Sequence, residues 1–284
     1  MMGPPKNWPL ASHGQRIRTT GMDWYVVTLG KGPVLLLLHG TGASGHSFAG
    51  IAEALADEFT LVIPDLPGQG FSQLLPAADT HLAGFAQRLQ ELLDTLNVSP
   101  EWIIGHSAGA ALGTYCALTE RLTPHQGLIG INGAYLPFGS VAAPVFSSAA
   151  KLMARSRLLA WVTAAHGLFE RPIRNLLKET GSEPTDDMVF CYKTLLSKPQ
   201  HITGTLRMMA GWRLQELKTR LPQLTIPLEL MVCTNDQTVS PWQSERLAEL
   251  VASSRLHHVH TLGHLGHEEQ PVQFADAIRA IVGT

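Results

Sequence analysis

The sequence predicts an α/β fold, with a mostly parallel central sheet flanked by helices and a helical cap inserted after the sixth strand. Three observations support this prediction. Short apolar runs alternate with amphipathic helical patterns in the first half of the chain, which is typical of right-handed βαβ units. A strand passes directly into a helix through Gly-His-Ser-Ala-Gly at residues 105–109. The alternation stops at Asn132, and residues 146–200 carry only helical patterns before strands return.

Composition limits the class of protein. The chain has 284 residues, of which 45% are hydrophobic, enough for one large α/β domain or for two domains. Its net charge of −2 gives no reason to expect nucleic acid or an anionic membrane as a partner. Three widely spaced cysteines without a C-x-x-C motif indicate a reducing compartment. Because we find neither a leader peptide nor a transmembrane segment, we expect a cytoplasmic protein.

Each element of the first half follows from a local pattern. Residues 1–15 are rich in proline and polar residues and are predicted to be irregular. Residues 16–19 and 23–28 predict a hairpin. The run Val34–Leu38 is apolar on both faces, as expected of a central parallel strand. The other predicted elements are helices over residues 47–57, 79–96 and 110–122 and strands over residues 60–63, 102–104 and 128–131.

The second half begins with a linker and three predicted helices, over residues 146–166, 171–180 and 186–197. We interpret residues 137–202 as the cap, between two core segments, 1–136 and 203–284. Frequent apolar side chains in the cap indicate packing between its helices and, collectively, an apolar space for a small-molecule substrate. The core then continues as helices over residues 205–219 and 242–251, strands over 228–233 and 256–261, and a closing helix that ends at residue 282.

The segment Gly105-His106-Ser107-Ala108-Gly109 has the pattern of a nucleophile elbow, a sharp turn that raises a serine hydroxyl into a pocket. Glycine is expected at 105 and 109 because a Cβ there would press on the neighbouring strand or helix. The pentapeptide alone is a weak signal in a chain with 26 glycines, and a turn that only packs a helix on the sheet is the alternative. The strand–turn–helix context favours a catalytic serine.

A serine nucleophile needs a base, and the base needs an anion that orients it. Asp236 and His264 each follow a predicted strand, so both are expected at the sheet edge that carries Ser107. The alternative for Asp236 is a turn residue beside Asn235.

Other acids and bases lie nearby in the sequence. Asp65 is the alternative acid, but we expect it to tie down its loop of proline and glycine. His267 is the alternative base, beside Glu268 and Glu269, which we expect to serve a helix N-terminus. His39 is expected to stabilise a loop.

Two backbone N–H groups are expected to bind the oxyanion, those of Thr41 and Ala108. In the resulting hypothesis, Ser107 attacks an acyl carbon, His264 takes and returns the proton, and Asp236 holds the imidazole. Water then releases the acyl enzyme. Contacts with the substrate are expected from Gly40, His106, Leu136 and His267.

A metal site is another interpretation of a chain with 13 histidines. His257, His258 and His260 share a predicted strand, and the latter two share a face. However, the sequence has no HExxH motif and no Cys/His pair with zinc spacing. We therefore expect neither a metal nor another cofactor.

Taken together, these motifs resemble the α/β-hydrolase superfamily over nearly the whole chain. The resemblance implies a core sheet of about eight, mostly parallel strands and a helical cap. Haloalkane dehalogenases and epoxide hydrolases are disfavoured, because they carry Asp at the position of Ser107. Gln69 departs from the pattern, since this loop often carries His or Arg there. The matching segments are His39-Gly40-Thr41-Gly42, residues 64–72, residues 105–109, Asn235-Asp236 and residues 263–271.

More narrowly, the chain resembles the BchO-type family of magnesium chelatase accessory proteins of bacteriochlorophyll biosynthesis. That resemblance implies a role near magnesium insertion into protoporphyrin, possible association with magnesium-chelatase pathway enzymes, and no settled substrate. It rests on Asn7-Trp8-Pro9, residues 35–44, residues 105–111 and Leu136-Pro137-Phe138-Gly139.

Three functions stay open from the sequence. The first is a serine hydrolase acting on an ester or related acyl bond of an apolar small molecule. The second is a C–C bond hydrolase or cofactor-free perhydrolase with the same triad, because fold and triad do not separate these chemistries. The third is a non-catalytic protein that binds a porphyrin or another hydrophobic ligand. The presence of Ser107, Asp236 and His264 argues against the third.

Overall fold

The computed structural model describes residues 3–137 and 169–283, and an eight-stranded sheet forms its centre. The strand order is β1-β2-β4-β3-β5-β6-β7-β8. The pairs β1–β2 and β2–β4 are antiparallel and all other pairs are parallel, which confirms the predicted mostly parallel sheet. The strands are β1 (Gly14–Arg18), β2 (Asp23–Gly30), β3 (Val34–Leu38), β4 (Thr60–Pro64), β5 (Trp102–His106), β6 (Gly127–Ile131), β7 (Leu228–Cys233) and β8 (Ser254–Val259).

Helices cover both faces of the sheet. The described helices are α1 (Ala49–Leu55), α2 (Leu82–Leu96), α3 (Ala108–Leu118), α4 (Glu170–Lys178), α5 (Asp186–Leu196), α6 (Pro199–Gly211), α7 (Leu214–Arg220), α8 (Pro241–Leu250), α9 (Gly266–Glu269) and α10 (Pro271–Val282). None of these helices is long and apolar enough to cross a bilayer. Successive residues of a strand point to opposite faces, so Leu36 and Leu38 of β3 pack with α2 and α3, whereas Leu35 and Leu37 pack with α1 and α10.

One predicted helix is divided in two. The sequence predicts a single helix over residues 205–219, but the structure has α6 and α7, with Trp212 in an extended conformation between them. The Trp212 ring packs edge-on against Phe85, with ring centroids 5.3 Å apart. A tertiary contact therefore ends the helix where the local pattern would continue it.

Helices α4, α5 and α6 lie between β6 and β7, where the sequence predicts a cap. The apolar faces of α4 and α5 form a small cluster that includes Leu177, Tyr192 and, from the loop after β8, Leu265. In α6, Met208 packs instead with the main core. The predicted helix over residues 146–166, most of the predicted linker, and Phe138-Gly139 lie outside the described residues. Since α6 begins at Pro199, the predicted boundary after residue 202 falls inside a helix.

Candidate active site

Ser107 occupies the turn between β5 and α3 with a strained backbone. Its φ is 52° and its ψ is −115°, a conformation that non-glycine residues rarely adopt and that clusters at functional sites. Two backbone hydrogen bonds hold it: its N–H donates to Ile131, and its carbonyl accepts from Ala134, each at 3.0 Å. A Cβ at Gly105 would overlap the Ala110 backbone. The turn thus has the geometry that the sequence predicts.

His264 and Asp236 form a buried pair. The distance from His264 Nδ1 to Asp236 Oδ2 is 2.7 Å, and the residues are 5% and 4% exposed. The other carboxylate oxygen, Oδ1, accepts from the N–H groups of Thr238 and Val239 at 2.7 and 2.8 Å. Asp236 therefore shapes its own turn and also orients the imidazole. Because a carboxylate accepts at Nδ1, the tautomer with its proton there leaves Nε2 free to accept one.

The alternative acid holds loops together, as expected. Asp65 accepts hydrogen bonds from the N–H groups of Gly45 and Phe71 at 2.7 and 2.8 Å. Burial raises the pKa of Asp65 to about 6. His39 also joins two loops, since its Nε2 accepts from the Leu66 N–H and its Nδ1 donates to the Gly40 carbonyl, both at 2.8 Å.

His106 and His267 are almost fully buried and lie against each other. They are 2% and 0% exposed, with ring centroids 4.2 Å apart. His106 Nε2 donates to the His264 carbonyl at 3.0 Å, so this side chain packs against the loop of the base. Burial lowers the pKa of His267 to about 3. Contact between these two side chains and a substrate stays a prediction.

Glu268 and Glu269, the neighbouring carboxylates, lie in the first turn of α9, as expected. Glu268 also accepts a hydrogen bond from the Tyr192 hydroxyl at 2.7 Å. Its other carboxylate oxygen lies 3.9 Å from His46 Nε2. Burial raises the pKa of Glu268 to about 8. Glu269 accepts from the Glu183 N–H at 2.9 Å.

The other two residues expected to contact substrate are Gly40 and Leu136. Gly40 lies close to Ser107 in space, and Leu136 follows a segment that binds the Ser107 turn. A Cβ at Gly40 would lie 3.1 Å from the Ser107 Cβ and 2.8 Å from His106 Nδ1, so a side chain there would crowd the serine. Leu136 is buried, at 6% exposed, and follows the segment that binds the Ser107 carbonyl through Ala134.

The N–H groups of Thr41 and Ala108 are the two predicted oxyanion donors. Within residues 3–137 and 169–283, neither the Thr41 N–H nor the Ala108 N–H donates to another group of the chain. Ala108 is the first residue of α3, where the helix dipole favours negative charge. That these two N–H groups bind an oxyanion stays a prediction.

The loop that carries Thr41 is held by two residues to which sequence reasoning gave no role. Gln69 Oε1 accepts from the Gly42 N–H at 2.6 Å. His201 of α6 spans two loops, because its Nδ1 accepts from the Gly70 N–H at 2.9 Å and its Nε2 donates to the Gly42 carbonyl at 3.1 Å. Burial lowers the pKa of His201 to about 3, so it is neutral in this role. Of these two residues, only Gln69 stood out in the sequence, because this loop often carries His or Arg at that position.

Asn132 is a further residue that the sequence did not identify as functional. Its Oδ1 accepts from the Cys233 N–H at 2.8 Å, and its Nδ2 donates to the carbonyls of His264 and Gly263 at 3.0 and 3.3 Å. It thereby joins the end of β6 to the end of β7 and to the histidine loop. Its only sequence signal is its place directly after a strand.

One of the histidines of β8 is paired with a carboxylate. His257 Nε2 lies 2.6 Å from Glu229 Oε2, and Arg255 is the other charged neighbour of that carboxylate, at 3.9 Å. In the part of the chain that the structure describes, no group of three or more His, Cys, Asp or Glu side chains is arranged to hold a metal ion.

Comparisons with known proteins agree with this architecture. Residues 35–277 match the family model described as "Alpha/beta hydrolase family". The chain is 38% identical over 266 residues to the magnesium-chelatase 30 kDa subunit of Rhodobacter capsulatus, covering 93% of this chain and 92% of that protein.

Solved structures show the same fold. An esterase from Exiguobacterium antarcticum superimposes with a TM-score of 0.77 at 18% identity, covering 95% of this chain and all of that one. An α/β hydrolase fold protein from Burkholderia ambifaria gives a TM-score of 0.78 at 24% identity, covering 93% and 96%. At these identities the likeness establishes the fold alone.

Proposed function

The chain belongs to the alpha/beta hydrolase family, and we propose that it is a serine hydrolase acting on an ester or related acyl bond of an apolar small molecule. The observations that carry this proposal are the buried His264–Asp236 pair, at 2.7 Å, and the strained turn at Ser107, where φ is 52°. His106, the residue before the serine, supports the same arrangement, because its ring centroid lies 4.6 Å from that of His264.

The proposed reaction has two halves. Ser107 Oγ attacks the acyl carbon while His264 Nε2 takes the hydroxyl proton, and Asp236 stabilises the imidazolium that forms. The tetrahedral intermediate collapses, its bond to the leaving group breaks, and the leaving oxygen takes the proton from His264. A water molecule then attacks the acyl enzyme by the same path and releases the acid and Ser107.

In each tetrahedral intermediate the carbonyl oxygen carries a negative charge. We assign the stabilisation of that charge to the N–H groups of Thr41 and Ala108. Such donors act strongly because they are oriented before the reaction and lie in a site of low dielectric. Gly40 and Leu136 are the proposed substrate contacts. Burial keeps the pKa values of His39, His106 and His201 low, so these nearby side chains are neutral at neutral pH. That environment favours an uncharged, apolar substrate.

The test is a fluorophosphonate label followed by mass mapping. We expect modification of Ser107, loss of labelling in Ser107→Ala, and retention in Ser244→Ala, which removes a hydroxyl from a buried position on α8. A panel of p-nitrophenyl esters of increasing acyl length then measures the preferred substrate. Modification elsewhere, or turnover that survives Ser107→Ala, contradicts the proposal. Labelling without ester turnover directs the assay to C–C bond hydrolysis and perhydrolysis.

A second candidate function follows from the identity of 38% to the Rhodobacter capsulatus magnesium-chelatase subunit. We propose that this chain also acts near the enzymes of magnesium-porphyrin synthesis, by binding a porphyrin or another hydrophobic ligand. Fluorescence titration with protoporphyrin IX tests this on the wild-type protein and on Ser107→Ala. Equal saturable binding by both supports an accessory role, and the absence of saturable binding contradicts it.

A further inference from the structure

One backbone carbonyl contacts both loops that carry the proposed acid and base. The oxygen of Thr180 accepts a hydrogen bond from the N–H of Gln237, next to Asp236, at 3.1 Å. It also accepts from the N–H of His264 at 3.1 Å. Because one oxygen atom binds both loops, a displacement of Thr180 would move Asp236 and His264 together.

The next two residues add side-chain contacts to the same loops. Ser182, which is 1% exposed, accepts through its Oγ from the Leu265 N–H at 2.9 Å. Asn235 Nδ2 donates to the Gly181 carbonyl at 2.9 Å. Residues 180–182, which we name the loop clamp, therefore bind the residue before Asp236, the residue after it, His264, and the residue after His264.

The loop clamp lies closer to these loops than any side chain would permit. A Cβ at Gly181 would overlap the Asn235 carbonyl oxygen, and a Cβ at Gly263 would overlap the Gly181 backbone. The φ of Gly181 is +82°, which glycine adopts without strain. This close approach leaves the loops little freedom to move independently of the clamp.

The loop clamp is also the continuation of helix α4. Thr180 Oγ1 donates to the Leu177 carbonyl at 2.6 Å, and the Gly181 N–H donates to the Lys178 carbonyl at 2.9 Å. Leu177 is buried in the cluster that includes Leu265. The position of α4 is thereby transmitted to both catalytic loops by packing and by hydrogen bonds.

We propose that the loop clamp is a positioning element of the active site, and that Ser182 is its positioning side chain. This inference rests on the proposed hydrolase function. The clamp touches neither substrate nor Ser107 in the proposal; it keeps the imidazole of His264 against Asp236 and aimed at the serine. Because a misplacement of about 1 Å can cost about a hundredfold in rate, small shifts of the loops matter.

The test compares Ser182→Ala with Ser182→Thr. The alanine variant leaves the Leu265 N–H without its acceptor, and we expect kcat for a p-nitrophenyl ester to fall about tenfold with KM changed less than about twofold. We also expect the pH profile of kcat/KM to change, since the imidazole is held less well by Asp236. The threonine variant keeps the oxygen and should restore both.

Thr185→Ala is the matched control. Thr185 Oγ1 also accepts a backbone N–H, that of Met188 at 3.2 Å, and it caps α5 without contacting either catalytic loop. We expect a similar loss of thermal stability and unchanged kinetics. Unchanged kcat and pH profile in Ser182→Ala, or failure of Ser182→Thr to restore them in a folded protein, overturns the inference.

Fluorophosphonate labelling separates this inference from the proposed function. Labelling of Ser107 in the wild-type protein at a rate that Ser182→Ala lowers supports both. Labelling at equal rates in the two proteins overturns the loop clamp alone. No labelling in the wild-type protein overturns both.

Discussion

The side-chain amide of Asn132 donates a hydrogen bond to the backbone carbonyl of His264 at 3.0 Å. The same side chain accepts from the Cys233 N–H, and it is 2% exposed. The φ of Asn132 is 47°, a left-handed conformation that asparagine tolerates better than most residues. Asparagine thus satisfies a conformational requirement and supplies both a donor and an acceptor.

We expect Asn132→Asp to lower kcat by about tenfold or more, because a carboxylate turned toward the His264 carbonyl replaces attraction by repulsion. The acceptor for Cys233 is retained, so the defect should be centred on the histidine loop. Steady-state kinetics and thermal unfolding measure the effect. Asn97→Asp is the control, since Asn97 has a φ of 53° at the end of α2. Equal kinetic losses in the two variants would contradict this role.

The loop of the proposed oxyanion donors depends on Gln69. Gln69→Leu removes the acceptor of the Gly42 N–H at 2.6 Å, and we expect kcat to fall about tenfold or more with little change in KM. Gln73→Leu removes a similar contact, in which Gln73 Oε1 accepts from the Asp23 N–H of β2 at 2.9 Å. It should lower stability only. The role assigned to Gln69 fails if both variants retain full kcat.

The change in stability between pH 4.5 and pH 8 should depend on Glu268. Because its folded-state pKa of about 8 exceeds the ordinary value of 4.5, the folded state holds a proton that the unfolded state has lost between these pH values. Stability from this group is full below pH 4.5 and is lost as pH rises toward 8. The loss is at most about 1.4 kcal/mol per pH unit.

Glu268→Gln keeps an oxygen that can accept from the Tyr192 hydroxyl but has no proton to lose. We therefore expect its free energy of unfolding to change less than that of the wild-type protein between pH 5 and pH 8. Denaturant unfolding at a series of pH values measures this. Glu53→Gln, at an exposed position on α1, is the control and should follow the wild-type curve. Parallel curves for Glu268→Gln and the wild-type protein would refute the prediction.

The two candidate bases can be distinguished by substitution. His264→Gln should lower kcat/KM by about 10⁴-fold, as expected for a base of a serine triad. His267→Phe should leave kcat/KM within about threefold, because the His267 ring already packs among aromatic side chains at Phe48, His106 and Phe274. Steady-state ester hydrolysis compares them. If a folded His267→Phe protein lost more kcat/KM than His264→Gln, then His267 would be the base.

His267→Phe should also change stability at acid pH. The lowered pKa of His267, about 3 against 6.5, means that the unfolded state binds more protons in this interval. Its contribution to stability is therefore present above pH 6.5 and is lost as pH falls toward 3. We expect the variant to lose less stability than the wild-type protein between pH 6.5 and pH 4. An equal loss would show that His267 does not contribute.

Local patterns account for much of this protein. The strands Val34–Leu38 and Leu228–Cys233 have the predicted bounds, because each is a continuous apolar run limited by turn residues. The turn at Ser107 was predictable because strand, glycine and helix signals adjoin in the sequence. The hydrogen bond between His264 and Asp236 was predictable because parallel strands end at one edge of the sheet, which brings distant residues together.

Tertiary packing decided the rest. The division of α6 from α7 depends on the Trp212–Phe85 contact, which no local periodicity encodes. The burial of His106 and His267, the bridge made by Asn132 and the support of the Thr41 loop by His201 join residues far apart in the chain. Residue types and their spacing along one segment predict which helices and strands form and which loops lie at the same edge of the sheet. The direction in which a buried side chain points is set by several segments at once, and therefore only by the folded chain.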